Sequence, residues 1–523
     1  MALATGHLIY GSVKPTRARD ALTGGLAAGL ALGVSELLAG VFSGLPSLVE
    51  GMGNWVIDNV PTPVKEFAIA TFGTNDKLVL LIGIATVSVL IGALVGIGAR
   101  RRFGLAIAVF IGFSLFAAFA ASASQDVSLG VAMIPGGAAA LAGLATIQLM
   151  LGTSAPGAME GESLQASRRR FLLGAGAVFG LAVASAAVGR NLLTQARRVI
   201  AGREDVVLPA AAIPRPAVPA TAELGVEGLT PIIVPNSDFY RIDTAFAVPR
   251  VVIEEWTLGV SGMVDRPYQI DFYDLLDMRM VEMDVTLSCV SNPIGGDLVG
   301  NARWLGVPLS EILDRAGVDP EAEQVVGRSI DDFTVGFPVE AVYDGREAMV
   351  AVGMNGEPLP IEHGFPARLV VAGLYGYVSA TKWLTSIELT RWDDFDAYWI
   401  PRGWAKEGPV KTQSRIDTPG HRQRIPPGAR TVAGVAWAPD RGISKVEVQL
   451  GDGQDWVEAE LSEPLSVSAW VQWRVIWDAT SGEHLLRVRA TDGTGALQDE
   501  RVRPPAPDGA TGWHTQRVVV TEA

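Results

Sequence analysis

Val285-Thr286-Leu287-Ser288-Cys289-Val290-Ser291-Asn292, followed by Gly295-Gly296 and then Asn301-Ala302-Arg303-Trp304-Leu305-Gly306-Val307-Pro308-Leu309, holds the only cysteine of a 523-residue chain. A strand-like run, Val285-Thr286-Leu287, ends here and enters a polar loop rich in glycine. A structural cysteine normally sits inside an unbroken apolar strand, where it acts as a small hydrophobe. A cysteine at a strand-to-loop junction predicts an accessible sulfur with backbone close to a ligand, which suits a thiolate metal ligand or a nucleophile. One cysteine excludes an intramolecular disulfide and any multi-cysteine zinc or iron–sulfur site. No His neighbours it in sequence and no Ser-His set stands out, so hydrolysis is a weak reading.

Around this segment the chain has two textures. Residues 21–189 are mostly Ala, Gly, Leu, Val, Ile and Phe with few charges, whereas residues 203–523 carry charges, Trp and Pro throughout. Long apolar runs point to a bilayer, and the length leaves room for two or three domains. The net charge of −14 argues against a nucleic-acid partner, which would require clustered Lys and Arg facing phosphates.

Five segments, near 21–45, 78–99, 103–123, 127–151 and 171–189, are long enough to cross a hydrocarbon core, which takes about 20 helical residues. They predict an all-α transmembrane bundle over residues 1–190, in contact with membrane lipid. Arg17 and Arg19 precede the first span, Arg100–Arg102 separate the second and third, and Arg168–Arg170 precede the fifth. Loop 46–77 and the Gln125–Asp126 turn are neutral or acidic. Placing each Arg cluster in the cytoplasm satisfies the positive-inside rule. An odd number of spans then puts residues 190–523 outside, as expected of a multi-pass protein of the cell membrane with an extracytoplasmic soluble part. Ser167-Arg168-Arg169-Arg170-Phe171-Leu172 resembles the twin-arginine export signal S-R-R-x-F-L set before an apolar stretch. A positive flank for the fifth span is the plainer reading, and the two are compatible. None of His7, His363, His421, His484 and His514 lies in a span, so this chain offers no bis-histidine haem within the bilayer. Glu36 is the acidic residue well inside a span; it faces a polar cavity or a partner, or else marks a helix bend or a subunit contact. Gly24, Gly25, Gly29, Gly33 and Gly40 permit close helix packing in the first span. The predicted role of the bundle is anchoring.

Residues 191–235 hold Pro209, Pro214, Pro216, Pro219, Pro231 and Pro235 among Ala and Val, which predicts an extended, semi-stiff tether, with the folded region starting near Asn236. Over 236–405, β-like runs such as Trp256–Val260 and Arg368–Val371 alternate with short helical stretches such as Leu309–Ala316, so an α+β domain is expected. Over 406–523, runs at 431–437, 443–450, 470–477, 484–491 and 516–521 are separated by turn residues, which reads as an immunoglobulin-like β-sandwich.

The cysteine loop followed by A-R-W-x-G-V-x-L resembles the molybdenum-binding segment of the sulfite oxidase family of molybdopterin-dependent oxidoreductases. Pro235-Asn236-Ser237-Asp238-Phe239-Tyr240-Arg241 is similar to the family's N-x-x-F-Y opening, and Trp256–Gly262 to its W-x-L-x-V-x-G strand. Ser329–Thr334 resembles S-x-D-G-Y-T. Met354-Asn355-Gly356-Glu357-Pro358-Leu359-Pro360 leads into His363-Gly364-Phe365-Pro366-Ala367-Arg368, then Gly373-Leu374-Tyr375-Gly376 and Lys382-Trp383-Leu384. The C-terminal sandwich resembles the family's dimerisation domain, including Arg489–Gly493 and Gly512-Trp513-His514. The resemblance covers about 236–523 and says nothing of the helices.

That resemblance implies a molybdenum–molybdopterin cofactor with Cys289 as the thiolate on the metal, a soft ligand of the kind such a metal favours. It implies Asp331, His363, Arg368 and Lys382 as the polar groups that hold the pterin and its phosphate, with Asn236, Tyr240, Arg241, Asn292, Arg303 and Ser379 as further cofactor contacts. Tyr375 and Tyr398 are its candidate catalytic residues, and with Tyr377 and Trp399 they are candidate pocket walls. The departures carry information. Sulfite oxidases place an Arg pair soon after the loop Asn, one of which meets the anionic substrate. Here Asn292 is followed by Pro293-Ile294-Gly295-Gly296, and a sulfite dianion loses a charge-assisted hydrogen bond of about 1.5–3 kcal/mol. Arg241 is followed by Ile242-Asp243 with no nearby His, and the family's V-P-G is Val371-Ala372-Gly373. The implied function is oxygen-atom transfer by a molybdenum enzyme on a small molecule, a neutral one such as a sulfoxide rather than sulfite. No electron-carrying domain is visible, so a separate electron-transfer protein or quinone-linked partner is implied, as is a homodimer. A non-catalytic membrane-tethered binding protein that keeps the fold is the alternative, and metal analysis separates the two.

Overall fold

Residues 78–99 are almost wholly Leu, Ile, Val, Ala and Gly, apolar on every face, which is the pattern of a helix surrounded by other apolar groups on all sides. In the computed structural model they lie in one such helix. The structure describes residues 17–521 apart from 43, 62–63, 65–66, 69–70, 73–75, 125–126, 153–163, 201, 246–247 and 250. The chain divides into two compact units, residues 1–199 with 245–247, and residues 200–244 with 248–523.

The first unit contains α1 (Arg17–Val41), α2 (Leu48–Asn59), α3 (Asp76–Ala99), α4 (Phe103–Ser124), α5 (Leu129–Gly152) and α6 (Leu164–Ile200). Among the described residues, five helices are long and apolar enough to cross a membrane: Arg17–Val41, Lys77–Ala99, Phe103–Ala123, Leu129–Leu151 and Arg168–Gln195. The first segment, expected to run to 45, stops at Val41. The chain turns through Gly44 and Pro46, and α2 starts beyond it, capped by Ser47, whose hydroxyl accepts from the Glu50 N–H. That helix was not foreseen. At the other end α6 continues to Ile200, because no proline interrupts residues 191–200, so these residues are helix rather than tether. The Gln125–Asp126 turn lies outside the described residues.

Close packing in α1 rests on some of the expected glycines and not on others. A methyl group on Gly24 would lie 2.0 Å from the Gly92 carbonyl oxygen, and one on Gly40 would lie 2.4 Å from that of Gly189. Gly33 meets the Ala182 carbonyl in the same way, Gly25 has room for ordinary contact, and Gly29 faces open space. Glu36 points into the bundle: its Oε1 accepts from Ser47 Oγ at 2.6 Å and its Oε2 lies 3.5 Å from Arg190 Nε, while Arg190 Nη1 donates to Glu50 at 2.7 Å. Arg100 pairs with Asp20 at 2.8 Å, and the Arg19 guanidinium lies 4.1 Å from the Phe171 ring centroid. The start of α1, the α3–α4 corner and the start of the apolar part of α6 therefore share one end of the bundle.

In the second unit, ten strands run from β1 (Thr257–Gly262) and β2 (Tyr268–Asp271) through β3 (Val281–Ser288), β4 (Val299–Pro308), β5 (Gln324–Ser329) and β6 (Thr334–Pro338) to β7 (Ala348–Met354), β8 (Glu357–Pro358), β9 (Arg368–Val371) and β10 (Leu384–Thr390). They form two sheets. One has the order β2-β1-β10-β5-β6; the other has β3-β4-β7-β8 with β9 on β7. The helix Leu309–Ala316 follows β4 directly and buries Leu309, Ile312, Leu313 and Ala316. The hairpin β3–β4, in register at Thr286 with Asn301 and at Asp284 with Arg303, presents residues 289–298 as its loop.

Beyond residue 406 the chain forms β11 (Gln413–Thr418), β12 (Arg424–Ile425), β13 (Gly428–Trp437), β14 (Ile443–Gln449), β15 (Trp456–Glu458), β16 (Glu460–Leu461), β17 (Val471–Ala479), β18 (Gly482–Asp492) and β19 (His514–Val520). The sheets β11-β13-β17-β16 and β12-β19-β18-β14-β15 enclose one core, in which Val432, Trp473, Val446, Val488 and Val518 meet, so this region is a two-sheet sandwich.

The Pro-rich stretch is corrected. It is extended, but it is docked. Ile213 bridges Val281 beside β3, Arg215 pairs with Glu347, and Glu223 and Leu224 bond Gln472 in the sandwich. Ala222, Ile232 and Val234 are buried. Its apolar residues find partners because proline keeps the chain extended over two domains, and the folded region starts well before Asn236.

Candidate active site at the cysteine loop

Cys289 is the first residue after β3. Its N–H donates to the Leu298 carbonyl at 2.9 Å, and the Leu298 N–H donates to Asn292 Oδ1 at 3.0 Å, so both ends of the loop are tied together. Asn292 thus closes the loop. Gly295 adopts φ 72°, a left-handed conformation that favours glycine. The residue is 9% exposed, which corrects the expectation of an accessible sulfur. The surroundings are nevertheless polar. Burial pushes the thiol pKa up, against bonds to the sulfur from the N–H and hydroxyl of Ser291 and the nearby charge of Lys382. Tyr240 and Tyr375 lie within electrostatic reach of the sulfur, and burial raises both of their pKa values, that of Tyr375 to about 12.

Two buried cations, Arg368 and Lys382, stand beside it, with the more exposed Arg241 next to them. Arg368, at the start of β9, donates through Nη1 to the His363 carbonyl at 3.0 Å, and its guanidinium lies 5.1 Å from the Trp304 ring centroid. Burial draws its pKa down to about 10. Lys382 Nζ donates to Asp243 at 2.9 Å and to the Glu362 carbonyl at 3.1 Å; burial outweighs the carboxylate and brings the ammonium down to about 8. Arg241 reaches the same Asp243 at 3.0 Å. His363 Nε2 donates to the Asn236 carbonyl at 3.1 Å, and burial, then Lys382 and Arg368, pull its pKa down to about 4, so the ring is neutral. Lys382 and Arg241 share the Asp243 carboxylate, while the bonds of buried Arg368 go to the His363 and Leu369 carbonyls. Such an excess of positive charge is costly in a protein interior unless an anion joins it. The donor set fits a phosphate-bearing cofactor, and the lone sulfur fits a metal carried by that cofactor.

The other expected residues divide. Arg303 faces away into structure: it makes a two-pronged pair with Asp284, both bonds at 2.9 Å, and donates to the Pro216 carbonyl, which explains it without a cofactor. The Asn236 amide donates to Glu357 and accepts from Asn355, so only its backbone carbonyl meets the cluster, through His363. Asp331 sits on the turn after β5, with Oδ1 accepting from the Phe333 N–H at 3.4 Å; burial of its carboxyl and the nearby Asp243 raise its pKa, which places it within electrostatic reach of the cluster. Ser379 is fully buried and donates back to the Tyr375 carbonyl at 3.1 Å. The Tyr375 hydroxyl lies toward Lys411 and Gly509, accepting from the Lys411 N–H at 3.5 Å. Tyr398 carries Arg402 over its ring at 3.7 Å and packs on Phe333 and Trp399. Trp399 continues to Trp404 and then to Tyr377, whose neighbour Gly376 borders the Ser288 carbonyl. Sequence reasoning missed Ser291, which was quoted but given no part, and Asp243, which entered only as a departure. It also missed Arg415, which donates to the Gly296 carbonyl at 2.8 Å from far along the chain and left no local signal.

Two family models match: "Oxidoreductase molybdopterin binding domain" over residues 245–399 and "Mo-co oxidoreductase dimerisation domain" over 407–505. The chain is 27% identical to the sulfite oxidase of Gallus gallus over 335 residues, 55% of this chain and 72% of that one. It is 27% identical to the NAD(P)H nitrate reductase of Hordeum vulgare over 319 residues, 49% of this chain and 36% of that one. Among solved structures, the sulfane dehydrogenase SoxCD of Paracoccus pantotrophus aligns with a TM-score of 0.49 and 24% identity, covering 60% of this chain and 91% of that one. The matched part of this chain is a molybdenum–molybdopterin oxidoreductase. Residues 245–505 belong to the sulfite oxidase family of molybdopterin-dependent oxidoreductases.

Proposed function

We propose that this chain is a membrane-anchored, extracytoplasmic oxotransferase acting on a neutral substrate such as a sulfoxide, with Cys289 as the protein's ligand to molybdenum. When bound, the molybdenum–pterin group supplies two-electron redox chemistry. The chain's own residues do the rest. Cys289 would hold the metal through its sulfur, as a thiolate. Lys382, Arg368 and Arg241 would hold the cofactor's phosphate, whose negative charge would offset theirs. Neutral His363 donates to the Asn236 carbonyl and keeps the N-terminal Phe239–Tyr240 segment against the site. Tyr240, Tyr375 and Tyr398 wall the reaction space.

The observation that carries the substrate class is the absence of an unpaired cation on the loop. Residues 290–298 contain no Lys, Arg or His, and the guanidinium that reaches them, Arg415, is taken up by Asp417, Thr230 and the Gly296 carbonyl. An anion such as sulfite lacks its charge-assisted partner there. The membrane assignment is supported by five apolar helices and by the arginines gathered at one end of the bundle. Electrons then pass to or from a separate carrier protein or a quinone-linked partner. The match to a dimerisation domain supports a homodimer through residues 407–505, and we read that sandwich as immunoglobulin-like. Metal and pterin analysis of the purified full chain tests the reading. The expected result is one molybdenum per chain, lost in Cys289→Ser at unchanged fold, with sulfoxide or N-oxide turnover exceeding sulfite turnover. A metal-free wild type from a cofactor-competent host, or a preference for sulfite, would overturn the corresponding part.

A further inference from the structure

The cysteine loop is gripped from outside its own domain. Arg415, on β11 of the sandwich, is almost buried and makes three bonds in three directions: Nε to Asp417 at 2.6 Å, Nη2 to Thr230 Oγ1 at 2.8 Å and Nη1 to the Gly296 carbonyl at 2.8 Å. Asp417 in turn accepts from the Thr230 N–H at 3.0 Å, which closes the bracket. A second contact comes from β19. His514 Nδ1 accepts from the Ile416 N–H at 3.0 Å, which leaves the ring proton on Nε2 and fixes the ring plane. The Cδ2–Nε2 edge lies against Gly295, where a methyl group would come within 2.2 Å of Cδ2. Beside it, a methyl on Gly512 would meet the Ile294 Cδ1 atom at 2.5 Å. The face of the loop away from Cys289 is therefore packed against sandwich residues, and the backbone that bears the sulfur has little freedom of its own.

We propose that Arg415 and His514 are positioning residues that hold the 289–298 loop, so that the C-terminal sandwich sets the orientation in which the sulfur is offered to the metal. The proposal rests on the reading of Cys289 as the metal's ligand, but it has a test that needs no metal. Cys289 is the only thiol of the full chain, so its alkylation by N-ethylmaleimide reports one site as a single mass shift. In full-length protein prepared without molybdenum, Arg415→Gln and His514→Ala are expected to alkylate at least about ten times faster than wild type, with the unfolding midpoint still above the assay temperature. Arg415→Lys, which keeps the charge and loses the fork, falls between. In metal-loaded protein the same variants retain molybdenum but show shifted Mo(V) electron paramagnetic resonance lines, and Arg415→Lys moves them back toward the wild-type positions. Should Arg415→Gln fail to fold, Thr230→Val removes one bond of the bracket and is expected to speed alkylation about two- to threefold. Alkylation rates within error of wild type in His514→Ala and Thr230→Val overturn the proposal. A wild type without molybdenum would defeat the ligand reading alone, since the alkylation series would still decide whether the sandwich holds the loop.

Discussion

Asp284 and Arg303 face one another across β3 and β4, with side chains 2% and 18% exposed, and their two bonds replace the water that each has lost. Removing one partner strands the other. Arg303→Met is expected to lower the stability of the soluble part by about 3 kcal/mol, with molybdenum per folded chain unchanged. The double variant with Asp284→Leu recovers most of the loss, because no buried charge is then left unpaired. Loss of metal at full stability would instead return Arg303 to the cofactor. His514 allows a pH prediction. Burial, then the neighbouring Arg415, lower its pKa to about 4 from an ordinary 6.5. Between those values the unfolded chain binds the proton and the folded chain does not, so stability falls as pH drops from 6.5 towards 4. The full effect is at most about 3 kcal/mol. His363 moves in the same direction, so the measure is the difference between wild type and His514→Gln in denaturant midpoint across that window. Equal slopes would acquit His514.

At the scale of elements, the stretch from 203 to 235 behaves as a strap. Trp470 is fully buried, and its indole N–H donates to the Ile232 carbonyl at 2.8 Å, while the Asn301 amide donates to the same oxygen at 2.9 Å. One point of the strap is therefore held by both the sandwich and β4. Trp470→Ala is expected to cost about 3–5 kcal/mol and to open the strap to trypsin at Arg215, which in wild type is tied to Glu282 and Glu347. Trp470→Phe, which loses the hydrogen bond but keeps a ring, should cost about 1 kcal/mol. Rapid cleavage of wild type at Arg215 would mean that the strap is a free tether after all. Composition had pointed to that tether, because proline-rich sequence reports extension and is silent on what lies alongside. The runs at 443–450, 484–491 and 516–521 were legible as strands through their alternation, whereas β12, β15 and β16 are too short to carry any period.

At the scale of the whole chain, the orientation of the bundle decides where the enzyme works. Arg168→Lys with Arg169→Lys keeps the positive charge while removing the twin-arginine pattern. If export uses that signal, the double variant leaves residues 203–523 protected from protease added to spheroplasts, whereas wild type is digested. Digestion of both would show that the charges act only as a positive flank of the span. The residues themselves were enough to determine the apolar helices, the extended course of the Pro-rich stretch and the strand that ends just before Cys289, because each is written in local pattern, and the order of short motifs pointed to Asp331, His363, Arg368 and Lys382 as one set. Tertiary structure alone decided that Glu36 meets Arg190, that Arg303 belongs to Asp284, that Asp243 pairs with Lys382, and that Arg415 and His514 touch the cysteine loop. Those are contacts between residues far apart in the chain. Whether a buried charge or a free loop is satisfied depends on what the fold brings to it, and spacing along the chain carries no record of that.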